Sequence, residues 1–518
     1  MKKEELNAKL WNIANKLRGR MDANEFKKYI LGFIFFKYIS TNLENYYREE
    51  EFSLADLDQE VKEDVIDQLG YFINPNHFYS KIIENIKNKK NIDNLNILLS
   101  DTFKEIENST SEKSRDDFSG LFDELDLNDK KLGDTQLEIN QLIAKIMLEL
   151  EYFEISRENN DFLGDSYEYL ISKFASDAGK KGGEFYTPIE VGKTIAKIVA
   201  TSKKAKEANV IYDPTCGSGS LLIRAYNEIK NIVKNESNNL KKEIPTIIQG
   251  QELNHTTYNL ARMNMILHGF NYGKFKIKQG DTLKNDKFKQ NKKFDIIVAN
   301  PPFGTKWDPK EKDYQIDDRF AIFDALAPTS RAEFAFIQHM LYHLSEDGIM
   351  ATVLPHGILF RGGAEEKIRR QIIENYNWFD AIISLPSNLF FGAGIPAIIA
   401  VFKKCRENNK SILFIDASKE FEKVKNKNKL RDQDILKIVD TYKNKKEIEK
   451  YSRNVNINEI KKNDFNLNIS RYIDNFEEET YRPIEEIKRD IFEAEQKEIE
   501  LKKELQELEK RILEEILQ

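Results

Sequence analysis

Apolar positions change their spacing twice along this chain and divide it into three stretches. Over residues 1–155 the spacing is helical, with Phe26, Ile30, Phe33, Ile34 and Tyr38 on one face. The greasiest run, Ile30–Ile39, contains Lys37 and is too short to span a bilayer, so it predicts a core helix. Asn91–Gly133 is polar and acidic and predicts loops between helices, and Leu142–Met147 restarts an apolar helix. From about 156 to 480 short apolar runs alternate with helical ones, the pattern of a parallel sheet with helices on both faces. Strands are predicted at Asn209–Tyr212, Ile247–Gln251, Phe275–Gly280, Phe294–Ala299, Gly348–Pro355 and Ala397–Phe402. Gly304–Arg331 is a long polar stretch carrying Trp307; such loops either have a function or are disordered. Over 481–518 the helical spacing returns as a seam of Ile484, Ile487, Ile491, Ala494, Leu501, Leu505, Leu508 and Ile512, interrupted by Glu498. A lone helix cannot bury such a stripe; it packs on its own domain or on a partner helix. The expected fold is α/β: a Rossmann-like sheet at 156–480, an all-helical domain at 1–155 and a coiled-coil-like helix at 481–518.

The strand predicted at Phe294–Ala299 ends in Asn300-Pro301-Pro302-Phe303. In open α/β sheets ligands bind at the carboxyl ends of strands. Proline has no N–H, so this turn offers acceptors: the Asn300 amide oxygen and the Pro301 carbonyl, with the flat Phe303 ring beside them. A planar exocyclic amine such as N6 of adenine suits them, as does a glutamine amide or a base of RNA. A rigid turn would explain Pro-Pro but neither Asn300 nor Phe303.

Upstream, Asp213-Pro214-Thr215-Cys216-Gly217-Ser218-Gly219-Ser220 joins a predicted strand to a predicted helix. Glycines there let the backbone approach a ligand, and the helix start favours a carboxylate. The loop reads as a cofactor loop or as a plain turn. Gly192-Lys193-Thr194 is not a P-loop, because Thr187 stands where the first glycine is needed. Two acids follow at strand ends. Glu252 can accept both hydroxyls of a ribose, and Asp281 or its neighbouring backbone can hold an adenine edge. Each alone also fits a surface charge or a helix cap. Their order favours a ligand site: glycine loop, acid, acid, Asn-Pro-Pro-Phe.

With these motifs the chain resembles S-adenosylmethionine-dependent DNA methyltransferases that modify an amino nitrogen. Gly183-Glu184-Phe185-Tyr186-Thr187-Pro188 is similar to the family's segment that closes over the methionine part of the cofactor. Read by itself, Thr187 predicts a helix N-cap, with Pro188 at the first position and Glu190 completing a capping box. Leu10-Trp11, Leu17-Arg18-Gly19, Met21-Asp22 and Ile30–Ser40 resemble the N-terminal helical domain of type I restriction–modification methylation subunits. Leu163–Leu170, Phe379–Pro386 and Phe391–Ala397 are similar to later segments of that family. The resemblance implies methyl transfer from S-adenosylmethionine to N6 of a flipped adenine in double-stranded DNA. It implies Asn300, Pro301, Pro302 and Phe303 as the catalytic group. Cofactor contacts fall on Glu184, Phe185, Tyr186, Thr187, Pro188, Asp213, Gly217, Ser218, Gly219, Ser220, Glu252 and Asp281. It also implies a separate DNA-specificity subunit and a motor-nuclease restriction subunit as partners. The rivals are a self-sufficient DNA methyltransferase, a glutamine or RNA methyltransferase, and a scaffold that binds without catalysis.

A net charge of -7 argues against the whole surface gripping DNA, so part of the grip is expected from a partner. Cys216 and Cys405 have no C-x-x-C partner and support neither a disulfide framework nor a zinc site, and Cys216 has no assigned role. The six histidines suggest no metal-spaced cluster, and no metal is expected. Met1–Leu10 is charged rather than signal-like, and no apolar run spans a bilayer, so the cytoplasm is the expected compartment.

Overall fold

The computed structural model describes residues 3–17, 21–52, 58–90, 92–152, 160–178, 187–208, 210–237, 246–290, 293–310, 314–390, 396–406, 410–424, 427–474 and 483–516. The chain divides into two compact units, Met1–Ile473 and Asp474–Gln518.

The first unit is built on a nine-stranded sheet of β1 (Val210–Asp213), β2 (Ile247–Glu252), β3 (Phe275–Gln279), β4 (Phe294–Ala299), β5 (Leu344–Pro355), β6 (Phe379–Ser384), β7 (Ala397–Lys403), β8 (Ser411–Asp416) and β9 (Ser452–Asn456). Their order across the sheet is β3-β2-β1-β4-β5-β7-β6-β8-β9. Neighbours run parallel, except that β7 is antiparallel to β5 and β6, and β9 to β8. After β3 the chain returns to the other side of β1, so strand order reverses between β1 and β4. That reversal opens a crevice beyond their carboxyl ends, where open α/β sheets bind ligands.

All six residues of β4 are buried. Its alternate residues feed two cores. Ile296 and Val298 share one with the N-terminal helices. Ile297 and Ala299 share the other with Phe334, Ile337 and Met340 of the Glu333–His343 helix. The N-terminal region joins the first of these cores through the His255–Leu267 helix, whose Arg262 donates to the carbonyls of Asp116 and Ser119, rather than standing apart from it. Its longest helix, Ala23–Glu49, buries Phe26, Ile30, Phe33, Ile34 and Tyr38 together. Lys37, the charge within that apolar run, donates to the carbonyls of Leu150 and Glu151 at 2.8 and 3.0 Å. It supplies the partners that the last carbonyls of the Gln136–Glu151 helix lack.

Two local expectations are corrected. Asn91–Gly133 is not only loop: Leu95–Asn108 is a helix that buries Leu95, Leu99, Phe103 and Ile106, a stripe that the polar surroundings obscured. Thr187 does not cap the next helix. That helix runs Ile189–Ala200 from an N-cap at Pro188 with no side-chain cap, because the Thr187 hydroxyl is engaged elsewhere.

In the second unit, Ile484–Ile516 is a continuous helix. Ile484, Ile487, Ile491, Leu501, Leu505 and Leu508 are all exposed, as are Phe492 and Ile499 off the seam. The Ile512 side chain lies outside the described ones. Among the described residues no helix is long and apolar enough to cross a membrane.

Candidate active site

A cavity of ≈ 470 Å³ opens at the crevice between β1 and β4. Thr187, Asp213, Gly217, Ser218, Ser220, Glu252, Asp281, Asn300 and Pro302, scattered over more than a hundred residues, all line it. Pro188, Gly219, Pro301 and Phe303 are not on its wall. Glu184, Phe185 and Tyr186 lie outside the described residues, as do Phe391–Ile395.

The loop after β1 is shaped by its glycines. Gly217 and Gly219 have φ of +55° and +78°, and a Cβ on Gly217 would meet nothing within 4 Å, so open space lies over it. A Cβ on Gly219 would fall 2.7 Å from Met265 Cε, which marks Gly219 as a packing position. Cys216 gains a structural role: it is buried against Gly250, whose added Cβ would stand 2.9 Å from the cysteine Sγ. Burial pushes its thiol well above the ordinary range, which leaves it inert.

Three carboxylates serve this half of the cavity. Glu252 is held by backbone N–H groups, Oε2 accepting from Gly217 at 3.0 Å and Oε1 from Asn254 at 2.8 Å. Asp281 Oδ1 accepts from Leu283 and Lys284 at 3.0 and 3.2 Å, which fixes a turn at the end of β3. Asp213 is 1% exposed; its Oδ1 accepts from the Thr215 N–H at 2.9 Å, and its Oδ2 has no hydrogen-bond partner. Burial, with the nearby Glu252 charge, raises Asp213 to about 8. Its carboxyl is therefore mostly protonated at neutral pH, a neutral group that can donate as well as accept.

At the end of β4, Asn300 Nδ2 donates to Thr187 Oγ1 at 2.9 Å. That bond sets the amide orientation and leaves Oδ1, which is buried, with no hydrogen-bond partner. A buried orphan acceptor is rare in folded proteins and points to a donor supplied by a ligand. Phe303 is half-buried and packs against the core, its ring centroid 6.2 Å from that of Phe390.

The long stretch after Phe303 is folded in its described residues. Trp307 Nε1 donates to the carbonyls of Ala327 and Pro328 at 3.3 and 3.1 Å. Its ring packs on Tyr314 and Phe320, with centroids 5.1 and 5.8 Å away. Gly304 N–H donates to Glu333 Oε1 at 3.0 Å, tying the start of the stretch to the following helix. Trp307 and Tyr314 line the cavity, and so does Lys27 from the N-terminal helix. Neither Lys27 nor Tyr314 carries a motif; only tertiary packing brings them here.

The histidines correct a further expectation. His339 and His343 lie one turn apart on their helix and, with Asp286, place ligand atoms within 4.8 Å of one another. The set is already hydrogen-bonded, however. His343 Nε2 lies 2.8 Å from Asp286 Oδ2, and the two His339 nitrogens lie 3.0 Å from the Tyr212 hydroxyl and 3.2 Å from Arg319 Nη1. A guanidinium at that distance disfavours a second cation, so the cluster reads as a polar network behind the cavity.

The N-6 DNA methylase family profile matches residues 158–481, and the HsdM N-terminal domain profile matches residues 6–150. The chain belongs to the N-6 DNA methylase family. It is 36% identical to the type I restriction enzyme MpnII methylase subunit of Mycoplasma pneumoniae, over 96% of this chain and 95% of that one. The MjaVII methylase subunit of Methanocaldococcus jannaschii is also 36% identical, over 74% of this chain and 63% of that one. The crystal structure of a type I restriction-modification system methyltransferase subunit from Streptococcus thermophilus superposes with a TM-score of 0.82 at 39% identity, covering 92% of this chain and all of that one. This N-6 DNA methylase is thus a type I methylation subunit and an adenine-specific DNA methyltransferase. Membership in a DNA methylase family sets aside the glutamine and RNA readings.

Proposed function

We propose that this cavity holds S-adenosylmethionine against a flipped adenine and that Asn300 presents the target nitrogen for methylation. The observation that carries the reading is the unpartnered Asn300 Oδ1 on the wall that also holds the glycine loop and Glu252. The cavity suits the donor in size, in its paired acid oxygens for a ribose and in the apolar Leu253, Leu260 and Leu283 for a base. Glu252 accepts the ribose hydroxyls, the Asp281 turn holds the adenine edge, and Asp213 with Gly217, Ser218 and Ser220 faces the rest. Thr187, which lines the cavity, contacts the methionine part. When bound, S-adenosylmethionine supplies an electrophilic methyl group on a sulfonium.

The acceptor nitrogen is buried in duplex DNA, so the base leaves the stack at a cost of roughly a few kcal/mol. Phe303 offers a ring face to the flipped base, and such stacking is worth about 1–3 kcal/mol. The N6 lone pair is delocalised into the ring. Hydrogen bonds from its two N–H groups to Asn300 Oδ1 and the Pro301 carbonyl favour a pyramidal nitrogen with the lone pair directed at the methyl carbon. The proton leaves after transfer. Catalysis is positioning and electrostatics, with no covalent intermediate.

In the cytoplasm the subunit works with a DNA-specificity subunit, docked on the 481–518 helix, and a motor-nuclease subunit joins them. The exposed apolar seam of Ile484–Leu508 and the chain's net charge of -7 support borrowed contacts. Residues 1–155 and 156–480 serve as the helical and methyltransferase domains. Co-expression with its genomic neighbours, followed by sequencing of N6-methyladenine, tests the whole reading. Methylation at a defined site is expected, and it should be lost together with co-purification when residues 483–518 are removed. A truncated chain that still assembles would return the helix to a role within its own subunit.

A further inference from the structure

The Asp281–Lys284 turn lines one cavity with Thr305, Lys306, Trp307, Asp308 and Tyr314, and Arg319 ties that turn to the segment that follows Tyr314. Arg319 is 2% exposed. Its Nη1 donates to the Thr282 carbonyl at 2.9 Å and its Nη2 to the Leu283 carbonyl at 2.8 Å. On its own segment, Asp317 grips it: Nε donates to Oδ1 at 3.0 Å and Nη2 to Oδ2 at 2.8 Å. Thr282 Oγ1 in turn donates to the Pro214 carbonyl at 2.5 Å, so the clasp reaches the glycine loop. From Arg319 the segment continues into Phe320, which packs on Trp307 and Tyr314, and both of those rings face the cavity wall. The guanidinium fork spans two carbonyls and a carboxylate that lysine's single ammonium cannot hold together.

We propose that Arg319 is a positioning residue that couples donor binding to the order of Asp317–Phe323, so that a filled donor site prearranges the Trp307 and Tyr314 wall of the cavity. The inference rests on the assignment of the donor to the Asp213, Glu252 and Asp281 half of the cavity. Linked sites of this kind typically change one another's affinity by about 5- to 150-fold, and the effect runs both ways.

The test is hydrogen exchange on the full chain with and without S-adenosylhomocysteine as probe. Residues Asp317–Phe323 lie off the cavity wall and are tied to it by the clasp and by Phe320, which packs on Trp307 and Tyr314. In the native chain the probe should slow exchange at Thr282–Lys284 and at Asp317–Phe323, each by about tenfold. In Arg319→Lys the first response should remain and the second disappear. A purely structural role would raise exchange equally with and without the probe and leave the ratio at Asp317–Phe323 unchanged; that result overturns the proposal. If Arg319→Lys loses its cooperative melt, the native chain decides alone. A response at Thr282–Lys284 with none at Asp317–Phe323 then rules the coupling out. Silence at Asp213–Ser220 as well as at Thr282–Lys284 removes the donor assignment and the coupling with it.

Discussion

The two halves of the cavity differ in whether their polar atoms already have partners. Around the ends of β1, β2 and β3, Glu252 and Asp281 accept from four backbone N–H groups, Gly217, Asn254, Leu283 and Lys284. Those carboxylates are oriented before any ligand arrives. At the end of β4, the Asn300 amide nitrogen is engaged by Thr187 and its oxygen has no partner. A prearranged group contributes to binding in the ground state. In the mechanism proposed above, an unpartnered acceptor facing the reacting nitrogen contributes most where charge develops. Loss of the first should therefore appear in affinity and loss of the second in rate. Asp213 is the exception on its side: its unpartnered oxygen belongs to a carboxyl that burial keeps neutral.

The largest effect is expected from Asn300→Ala. Methyl transfer should fall by about a hundred- to a thousandfold while donor affinity stays near native, measured by single-turnover methylation and calorimetry. Turnover close to native would make the two halves equivalent and end the assigned mechanism. Glu252→Ala should do the opposite and weaken donor binding by about 1.5–3 kcal/mol in a calorimetric titration, with much of the rate recovered at saturating donor. Unchanged affinity would leave Glu252 as the buttress of the Gly217 N–H alone. Phe303→Ala should lose about 1–3 kcal/mol in kcat/KM, and Phe303→Trp should lose less, because stacking needs a ring face. Equal losses would assign Phe303 to packing against Phe390.

The last effect concerns stability rather than the reaction. Asp213 has an unfolded pKa near 4 and a folded value raised to about 8. Its contribution is full below about pH 4 and is lost as pH rises through about 8, since the folded chain must then ionise a buried acid. Asp213→Asn should flatten that decline in thermal melts from about pH 4 to 9. A slope equal to the native one would place the pH dependence elsewhere.

Strand ends were legible because each is a local pattern: an apolar run, then glycine, acid or Asn-Pro. The Phe294–Ala299 prediction matches β4 residue for residue, while the prediction at Asn209–Tyr212 falls one residue short of Asp213. Periodicity was equally legible in the two long helices, but it does not tell burial: Phe26–Tyr38 lies in the core and Ile484–Leu508 stays exposed. Long-range pairing was hidden. Thr187 carries a cap signature, yet a side chain 113 residues away takes its hydroxyl. His339 and His343 are spaced for one helix face, but their network needs Asp286, Tyr212 and Arg319 from three other places in the chain. Lys27 reads as one more surface charge until the helix is packed over the cavity.

The bond between Thr187 and Asn300 also sets a clock on the ribosome. The 113 residues between them take about 6 to 23 s to synthesise at 5–20 residues per second. Once Ser220 has been added, the nascent chain holds the glycine loop but still lacks the Asn300 amide. The orientation of the amide is thus set only after the strand that carries it has been made, later in synthesis than the glycine loop and the turn at Glu252.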